Sequence, residues 1–180
     1  MSEASDDDAA CPRGRLRRDD KSMSATEIED LLHAARCARV ATLGVDGYPY
    51  AMPVLFVHRN GRIYLHTTAQ AGHFLTNVRH EQRVCFEVDE PGEVFPYGPV
   101  ECDTTIAFRS VIVFGRIAII EDEREKRAFF SALMAKYAPA GSWGREPGTF
   151  PRLDATIVYA IGPNAIAGKQ GLAPIPALRP

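Results

Sequence analysis

Residues 39–67 read RVATLGVDGYPYAMPVLFVHRNGRIYLHT, and this stretch decides the fold. It holds three apolar runs, at 39–43, 50–57 and 62–67. The dipeptides Asp46-Gly47 and Asn60-Gly61 separate the runs, and both are typical of tight hairpin turns because they tolerate positive φ. The stretch therefore predicts an antiparallel meander of three strands.

Proline adds a constraint to the second run. Pro49 and Pro53 lie at its start and within it, and neither has an N–H to donate to a neighbouring strand. We therefore expect the strand at 50–57 to be bulged or to lie at an edge of the sheet.

Three further strands are expected downstream, at 83–88, 105–120 and 155–161. The run 105–120 is too long for a simple strand, and Gly115 is its expected bend. Residues 89–104 contain three prolines and two glycines, so we predict a long loop there. About six antiparallel strands with helices at their edges predict a mainly β protein, a small barrel that leaves no apolar edge open.

Helices are predicted at three places. Ser24 and Glu27 form a capping box ahead of an apolar face with helical spacing, made of Ile28, Leu31, Leu32 and Ala35. A short helical turn is predicted at residues 72–79. Asp122 with Glu125 caps another amphipathic helix, whose apolar face is Phe129, Ala132, Leu133 and Tyr137.

Composition divides the 180 residues into three parts. Residues 1–22 are acidic and then basic with almost no large aliphatic residue, so we expect a disordered or loosely packed segment. Residues 23–171 form the one folded domain. Residues 172–180 contain three prolines and predict an extended tail.

Charge and cysteine content exclude several classes of protein. The formal net charge is −2, which gives no argument for nucleic acid or a membrane surface as partner. No apolar run approaches the length of a spanning helix. The four cysteines lack metal or disulfide spacing, so we expect reduced thiols and a cytoplasmic protein. Phosphate-binding G-x-G-x-x-G and Walker patterns are absent from the sequence.

The richest polar cluster is HTTAQAGH, residues 66–73, where a predicted strand ends and a helix begins. Hydroxyls of Thr67 and Thr68, imidazoles of His66 and His73, and free N–H groups of a helix N-terminus are expected to converge there. That combination suits a phosphate monoester. On residue types alone, the simpler interpretation is favoured: the threonines cap a turn and the histidines lie on the surface.

Two other chemistries are weaker alternatives. His66, His73 and Cys85 offer metal-ligating atoms, but their spacing matches no metal pattern. No cysteine is marked as activated and there is no G-x-S-x-G elbow, so a hydrolase is disfavoured.

Taken in order, several segments resemble the pyridoxamine-phosphate-oxidase-like FMN-binding split barrels, and most the nitroimidazole-resistance (Nim-type) subgroup. The segments are MSATEIEDLL, DGYPYAMPV, GRIYLHTTAQAGHFLTNVR, RVCFEV, FRSVIVFGRIAIIEDEREKRAFFSALMAKY and AIAGKQ, spread over about residues 15–171. The resemblance implies a six-stranded antiparallel split β-barrel with flanking helices. It also implies a homodimer with FMN at the interface.

The resemblance assigns cofactor contacts by position. The strand Met52-Pro53-Val54 would run beside the isoalloxazine, and His66, Thr67, Thr68, Gly72 and His73 would surround the phosphate. Arg109 and Ser110 match the strand that approaches the ring, and Lys169 would reach over from the same or the partner subunit. The family commonly has Lys where this chain has Phe74. Either Arg79, Arg83, Lys169 or a protonated His73 then supplies the charge, or flavin binding is weak, or the site holds another ligand. The aromatic ring of Phe74 is also suited to stacking on a planar ring system.

The resemblance implies an FMN-dependent oxidoreductase that uses NAD(P)H to reduce a small aromatic or nitro-aromatic substrate. His73 is the expected catalytic proton donor, because imidazole changes charge near neutral pH. The alternatives are a deazaflavin- or haem-binding split-barrel enzyme, and a protein that binds flavin without turnover.

Overall fold

A computed structural model describes residues 16, 18–138 and 148–171. The helices are α1 (Ala25–Ala34), α2 (His73–His80) and α3 (Glu123–Tyr137). The strands are β1 (Ala38–Leu43), β2 (Pro49–Val54), β3 (Val57–Arg59), β4 (Arg62–Thr68), β5 (Arg83–Pro96), β6 (Thr104–Ile120) and β7 (Thr156–Gly171). The predicted tail at 172–180 and most of the predicted N-terminal segment 1–22 lie outside the described residues.

The described strands form one antiparallel sheet in the order β2-β1-β5-β6-β7-β4-β3. A mainly β, antiparallel fold with flanking helices is therefore confirmed. The sheet has seven strands where six were expected, and it is not closed, with β2 and β3 at its two edges. Since only two residues separate β2 from β3, the two edges approach each other there.

The seventh strand arises because the predicted strand 50–57 is broken at Leu55-Phe56. The Phe56 side chain is fully buried, and its backbone bonds a side chain in place of a neighbouring strand. The Tyr137 hydroxyl accepts from Phe56 N at 3.1 Å and donates to Phe56 O at 2.9 Å. This one phenol satisfies the backbone where the chain crosses from one sheet edge to the other.

The turn and edge predictions are confirmed. Asn60 and Gly61 have φ of 51° and 69°, and Gly47 has φ of 82°, as tight hairpin turns require. Pro49 and Pro53 lie in β2, an edge strand of the sheet, where a missing N–H leaves no neighbour unpaired.

The prediction of a long loop at residues 89–104 is wrong. β5 continues to Pro96 and pairs with β6, with a register shift between Pro91 and Val94. A bulge accommodates a proline that regular pairing would exclude, so the two strands extend past the prolines as a hairpin arm. Only residues 97–103 remain outside the strands.

Gly115 is the expected irregularity in β6, where the pairing with β7 shifts register between Phe114 and Gly115. A Cβ at Gly115 would lie 2.5 Å from the Gly162 carbonyl oxygen, so only glycine fits this crossing. β7 continues beyond its predicted end at residue 161 and runs to Gly171. The segment around Lys169 is therefore strand and not an exit loop.

The helices pack against the sheet as the sequence indicated. Ser24 and Glu27 form the predicted capping box of α1, which buries Leu31 and Leu32 in the main core. Asp122 Oδ1 accepts from Glu125 N at 2.7 Å and caps α3. The buried Phe129 of α3 belongs to a second, smaller apolar cluster. Within the described ranges, no helix has both the length and the apolarity to cross a membrane.

Candidate functional site

A cleft of about 700 Å³ lies between the β1–β2 turn and the start of α2. Its walls are Gly44, Val45, Asp46, Tyr48, Pro49, Tyr50, Ala71, Gly72, His73, Thr76 and Asn77. The hairpin turn and the helix terminus, two features read directly from the sequence, therefore meet at one opening.

The N-terminus of α2 faces this cleft without a side-chain cap. Gly72 is the N-cap and supplies no side-chain hydrogen bond, so the first N–H groups of the helix lack both intrahelical and capping partners. His73 is the first residue of the helix, and its exposed imidazole stacks on Tyr50 with ring centroids 5.6 Å apart. Uncapped N–H groups beside an imidazole form an arrangement that attracts an anion.

Behind the cleft, α2 is fixed to β1 by a buried amide. Asn77 Nδ2 donates to Thr42 Oγ1 at 3.1 Å, and Thr42 Oγ1 donates to Tyr50 O at 3.3 Å. Both side chains are buried. The chain of bonds sets the distance between the helix terminus and the strand that carries Tyr50.

Thr67 points into the barrel. Its hydroxyl lies 2.9 Å from the hydroxyl of Tyr159, a fully buried tyrosine on β7. Phe74 packs edge-on against the same tyrosine at 5.2 Å and is only 5% exposed. Phe74 is therefore part of the core, while the next residue of β4, Thr68, is exposed.

His66 points to the opposite face of β4, as alternation along a strand requires. Its ring lies 5.7 Å from Phe129 and 5.5 Å from Phe130 on α3. It lines a separate, largely apolar cavity of about 500 Å³ with Leu55, Phe130, Leu133, Met134 and residues 149–153. Burial lowers the pKa of His66, and its Nδ1 has no hydrogen-bond partner among the described residues.

The predicted convergence of His66 and His73 is therefore wrong, because the two imidazoles line different cavities. The cause is the strand period: Thr67 faces inward, so His66 before it faces outward. The alternative metal set of His66, His73 and Cys85 is not assembled in the part of the chain that the structure describes. A role for each residue in cofactor binding stays a prediction.

Arg79 brings positive charge to the Thr67 side of β4. Burial raises the pKa of Tyr159, while the hydrogen bond with Thr67 and the charge of Arg79 act in the opposite direction. Arg79 is exposed and one residue from the end of α2. Of the cations named as replacements for the missing lysine, Arg79 thus lies within electrostatic range of the Thr67–Tyr159 pair.

The strand Met52-Pro53-Val54 lies at a free edge. These residues pair with Val40, Arg39 and Ala38 of β1 on one side, and no described strand pairs with the other side. The outward backbone groups of an edge strand are available to a ligand or another chain.

Arg109, Ser110 and Lys169 form a second group at the far end of β6 and β7. Ser110 pairs with Lys169, and Arg109 with Gln170. The Arg109 guanidinium binds Glu90, with Nε 2.8 Å from Oε2. Lys169 Nζ lies 5.7 Å from the centre of the Phe108 ring.

Within one chain the structure does not bring this group to the α2 cleft. Thr67 pairs with Ile157 near the start of β7, whereas Ser110 pairs with Lys169 near its end. At roughly 3.3 Å per residue, most of the length of β7 separates them. The predicted site residues therefore fall into two groups in one copy of the chain.

Sequence reasoning missed Tyr50, Asn77 and Tyr159. Asn77 carried a usable signal, since it lies three residues after Phe74 on the apolar face of a helix, where a buried amide needs a partner. Tyr159 gave no local signal, because its partner Thr67 lies in a strand 92 residues away in sequence.

The family is decided by a match over nearly all of the folded domain. The family model described as pyridoxamine 5'-phosphate oxidase matches residues 24–170. The chain belongs to the pyridoxamine 5'-phosphate oxidase family. The predicted membership is thus confirmed, and no curated protein matches the chain significantly.

Solved structures with the same fold include other members of this architecture. The flavocytochrome Anf3 of Azotobacter vinelandii is 23% identical, with a TM-score of 0.78, over 91% of this chain and 76% of its own. The FAD- and heme-binding protein of Mycobacterium smegmatis is 22% identical, with a TM-score of 0.72, over 86% and 76%. A candidate 5-nitroimidazole antibiotic resistance protein of Bacteroides thetaiotaomicron is 22% identical, with a TM-score of 0.67, over 81% and 83%.

Proposed function

We propose that this member of the pyridoxamine 5'-phosphate oxidase family is an FMN-binding, FMN-dependent oxidoreductase. It would take hydride from NAD(P)H and reduce a small aromatic or nitro-aromatic compound. The observation that carries the proposal is the cleft at the uncapped N-terminus of α2, at the position where the resemblance expects the cofactor phosphate.

The cleft residues fit a phosphate monoester. Its volume of about 700 Å³ is within the usual range for cofactor pockets. The first N–H groups of α2 and the imidazole of His73 would supply donors. Arg79, which lies outside the cleft walls but near the Thr67–Tyr159 pair, would supply the charge that Phe74 does not. Thr68, exposed at the end of β4, adds a hydroxyl.

The free edge of β2 fits the polar edge of a flat ring. Along the strand Met52-Pro53-Val54, the backbone groups that point away from β1 would bond the isoalloxazine, as the resemblance implies. When bound, FMN supplies hydride transfer, while the protein supplies orientation and a water-excluding face. His73, exposed beside the cleft, would deliver the accompanying proton from an imidazole nitrogen.

We propose a homodimer because the two residue groups that the resemblance assigns to one cofactor lie apart within a single chain. Arg109, Ser110 and Lys169 reach the ring only if a second copy brings them to the α2 cleft of the first. Large apolar side chains exposed on the strands and their connections support such contact: Leu43, Tyr48, Tyr50, Val94, Tyr97, Ile106 and Ile112 are each at least 36% exposed. The relatives of the same fold that bind flavin support the cofactor class.

A second candidate function, haem binding, is favoured by one observation. His66, whose buried Nδ1 has no hydrogen-bond partner among the described residues, lines a largely apolar cavity of about 500 Å³, and a neutral imidazole is a ligand for haem iron. Two neighbours of the same fold are described as a flavocytochrome and a FAD- and heme-binding protein. A Soret band after haem addition that is lost in His66→Ala supports this function, and an unchanged haem spectrum rejects it.

The experiment for the leading function is an FMN titration of the purified chain, followed by anaerobic addition of NADPH or NADH. We expect a yellow complex that the nicotinamide bleaches and that a nitro-aromatic compound re-oxidises. A yellow complex inert to every reductant indicates a non-catalytic flavin protein, and failure to bind FMN with tight binding of a deazaflavin contradicts the proposal.

The compartment is part of the same proposal. Cys37, Cys85 and Cys102 are free thiols in the structure. Free thiols without a disulfide framework are typical of a reducing compartment, and we place the protein in the cytoplasm on that ground.

A further inference from the structure

Outside the cleft, three metal-ligating side chains meet where α1 lies against β3. Glu29 and His33 are four residues apart on α1 and therefore share one face. His33 Nε2 lies 3.7 Å and His58 Nδ1 3.0 Å from the same carboxylate oxygen, Glu29 Oε2. All three atoms lie within 4.8 Å of one another.

His58 is the buried member of this cluster. Its side chain is only 6% exposed, in the short strand β3. Its Nδ1 lies 3.0 Å from Glu29 Oε2, and no other polar atom of the described residues bonds it. A buried ring nitrogen without a partner is costly, unless something that the chain itself does not provide binds it.

Lys136, the nearest cation, is occupied elsewhere. Its Nζ donates to Leu32 O at 3.2 Å and lies 3.8 Å from the centre of the Phe56 ring. Burial lowers its pKa to about 8. The ammonium is thus held at a backbone carbonyl, and not at the carboxylate of Glu29.

We propose that Glu29, His33 and His58 bind a divalent transition-metal ion of the Zn²⁺ class. Two imidazoles and one carboxylate are a donor set that zinc accepts, and bonds of about 2.1 Å place tetrahedral ligand atoms about 3.4 Å apart. The separations of the two histidine nitrogens from Glu29 Oε2, 3.0 and 3.7 Å, bracket that value. Glu29 and His33 are 54% and 63% exposed, which leaves the fourth position to water. The bound ion links helix α1 to strand β3.

The test uses the full chain without a histidine tag, treated with chelator and then titrated with Zn²⁺ in a calorimeter and with Co²⁺ in a spectrophotometer. We expect one ion per chain, visible bands of low-symmetry Co²⁺, and a melting temperature that rises with Zn²⁺ because only the folded state assembles the site. His33→Ala and Glu29→Gln alter exposed residues, so both variants should fold, and each should weaken Zn²⁺ binding at least about 100-fold.

Two variants serve as controls for other ligands. His80→Ala removes an exposed histidine on α2, and Cys37→Ser removes an exposed thiol near α1. Both should bind Zn²⁺ as the natural chain does. The proposal is overturned if the natural chain binds no Zn²⁺, if His33→Ala binds it equally well, or if Cys37→Ser is the variant that loses it.

Discussion

The two ends of the long sheet carry polar groups in opposite states. At the α2 end, the helix N–H groups and His73 face a cleft, and no side chain caps the helix. Arg79 lies on the same helix, within electrostatic range of Tyr159. At the β6–β7 end, the guanidinium of Arg109 is already paired with the carboxylate of Glu90 on the adjacent strand β5. This difference is the reason for the proposal that the α2 end holds an external anion and that the β6–β7 end of a second copy would complete the site.

The largest expected effect concerns the residue that differs from the family pattern. Phe74→Ala should lower the free energy of unfolding by about 3–5 kcal/mol, because a buried aromatic ring against Tyr159 is lost. Urea denaturation measures it, with Phe74→Leu as the control at about 1.5 kcal/mol or less.

Phe74→Lys should also destabilise the fold, since it buries an ammonium group. A stable Phe74→Lys variant that binds FMN more tightly would contradict this expectation, because it would show that a cation at residue 74 can reach the flavin phosphate.

Arg79 is the next test, because it is the cation assigned to the α2 end. Arg79→Gln should weaken FMN about 10- to 100-fold and leave riboflavin unchanged, since charge-assisted hydrogen bonds contribute about 1.5–3 kcal/mol. Fluorescence titration with both flavins measures the difference. Arg127→Gln, which removes an exposed arginine on α3, is the matched control. Equal losses for FMN and riboflavin would place Arg79 away from the phosphate.

The threonines at the end of β4 should act more weakly. Thr67→Ala with Thr68→Ala should weaken FMN about 10-fold more than riboflavin, because neutral hydroxyl donors contribute about 1 kcal/mol each. The single change at Thr67 should also lower stability by about 1 kcal/mol, since the buried Tyr159 hydroxyl loses its partner. The single change at exposed Thr68 should not. Identical losses of affinity for FMN and riboflavin would contradict phosphate binding at this end of β4.

The smallest effect concerns the far end of α2. The side chain and backbone of Arg83 lower the pKa of Glu81 to about 2. A depressed carboxyl pKa stabilises the fold above the ordinary value near 4.5, and this contribution is lost as the pH falls from there towards 2. Glu81→Gln should therefore cost up to about 1 kcal/mol at pH 7 and nothing near pH 2. Urea titrations across this range measure it, with exposed Glu123→Gln as the control; a difference independent of pH would contradict the assignment.

Local patterns predicted much of this fold, and their success has a physical reason. Asn60-Gly61, the Ser24–Glu27 capping box and Pro53 each constrain the chain within a few residues, so the turn, the helix start and the edge strand were predictable. The break at Phe56 was not, because the bond that permits it comes from Tyr137 on a distant helix. The extension of β5 past Pro91 likewise depends on its partner β6.

The residue types of the candidate site were predictable from the sequence, but the directions in which their side chains point were not. The start of α2 at His73 followed from the sequence, whereas the separation of His66 from Thr67 depended on which face of β4 the core occupies. The position of Lys169 in a strand, far from the α2 cleft of its own chain, required the full register of β7.

The most direct test of the composite site is flavin binding by mixed dimers. Arg79→Gln alters the α2 end and Arg109→Ala alters the β6–β7 end, and each variant alone should bind FMN weakly. Differently tagged copies purified together should form dimers with one intact and one doubly altered site, because a two-fold interface presents the same surfaces from both subunits. The account predicts that mixed dimers bind one FMN with the affinity of the natural protein. Mixed dimers as weak as both parents, or chains that do not associate, would contradict it.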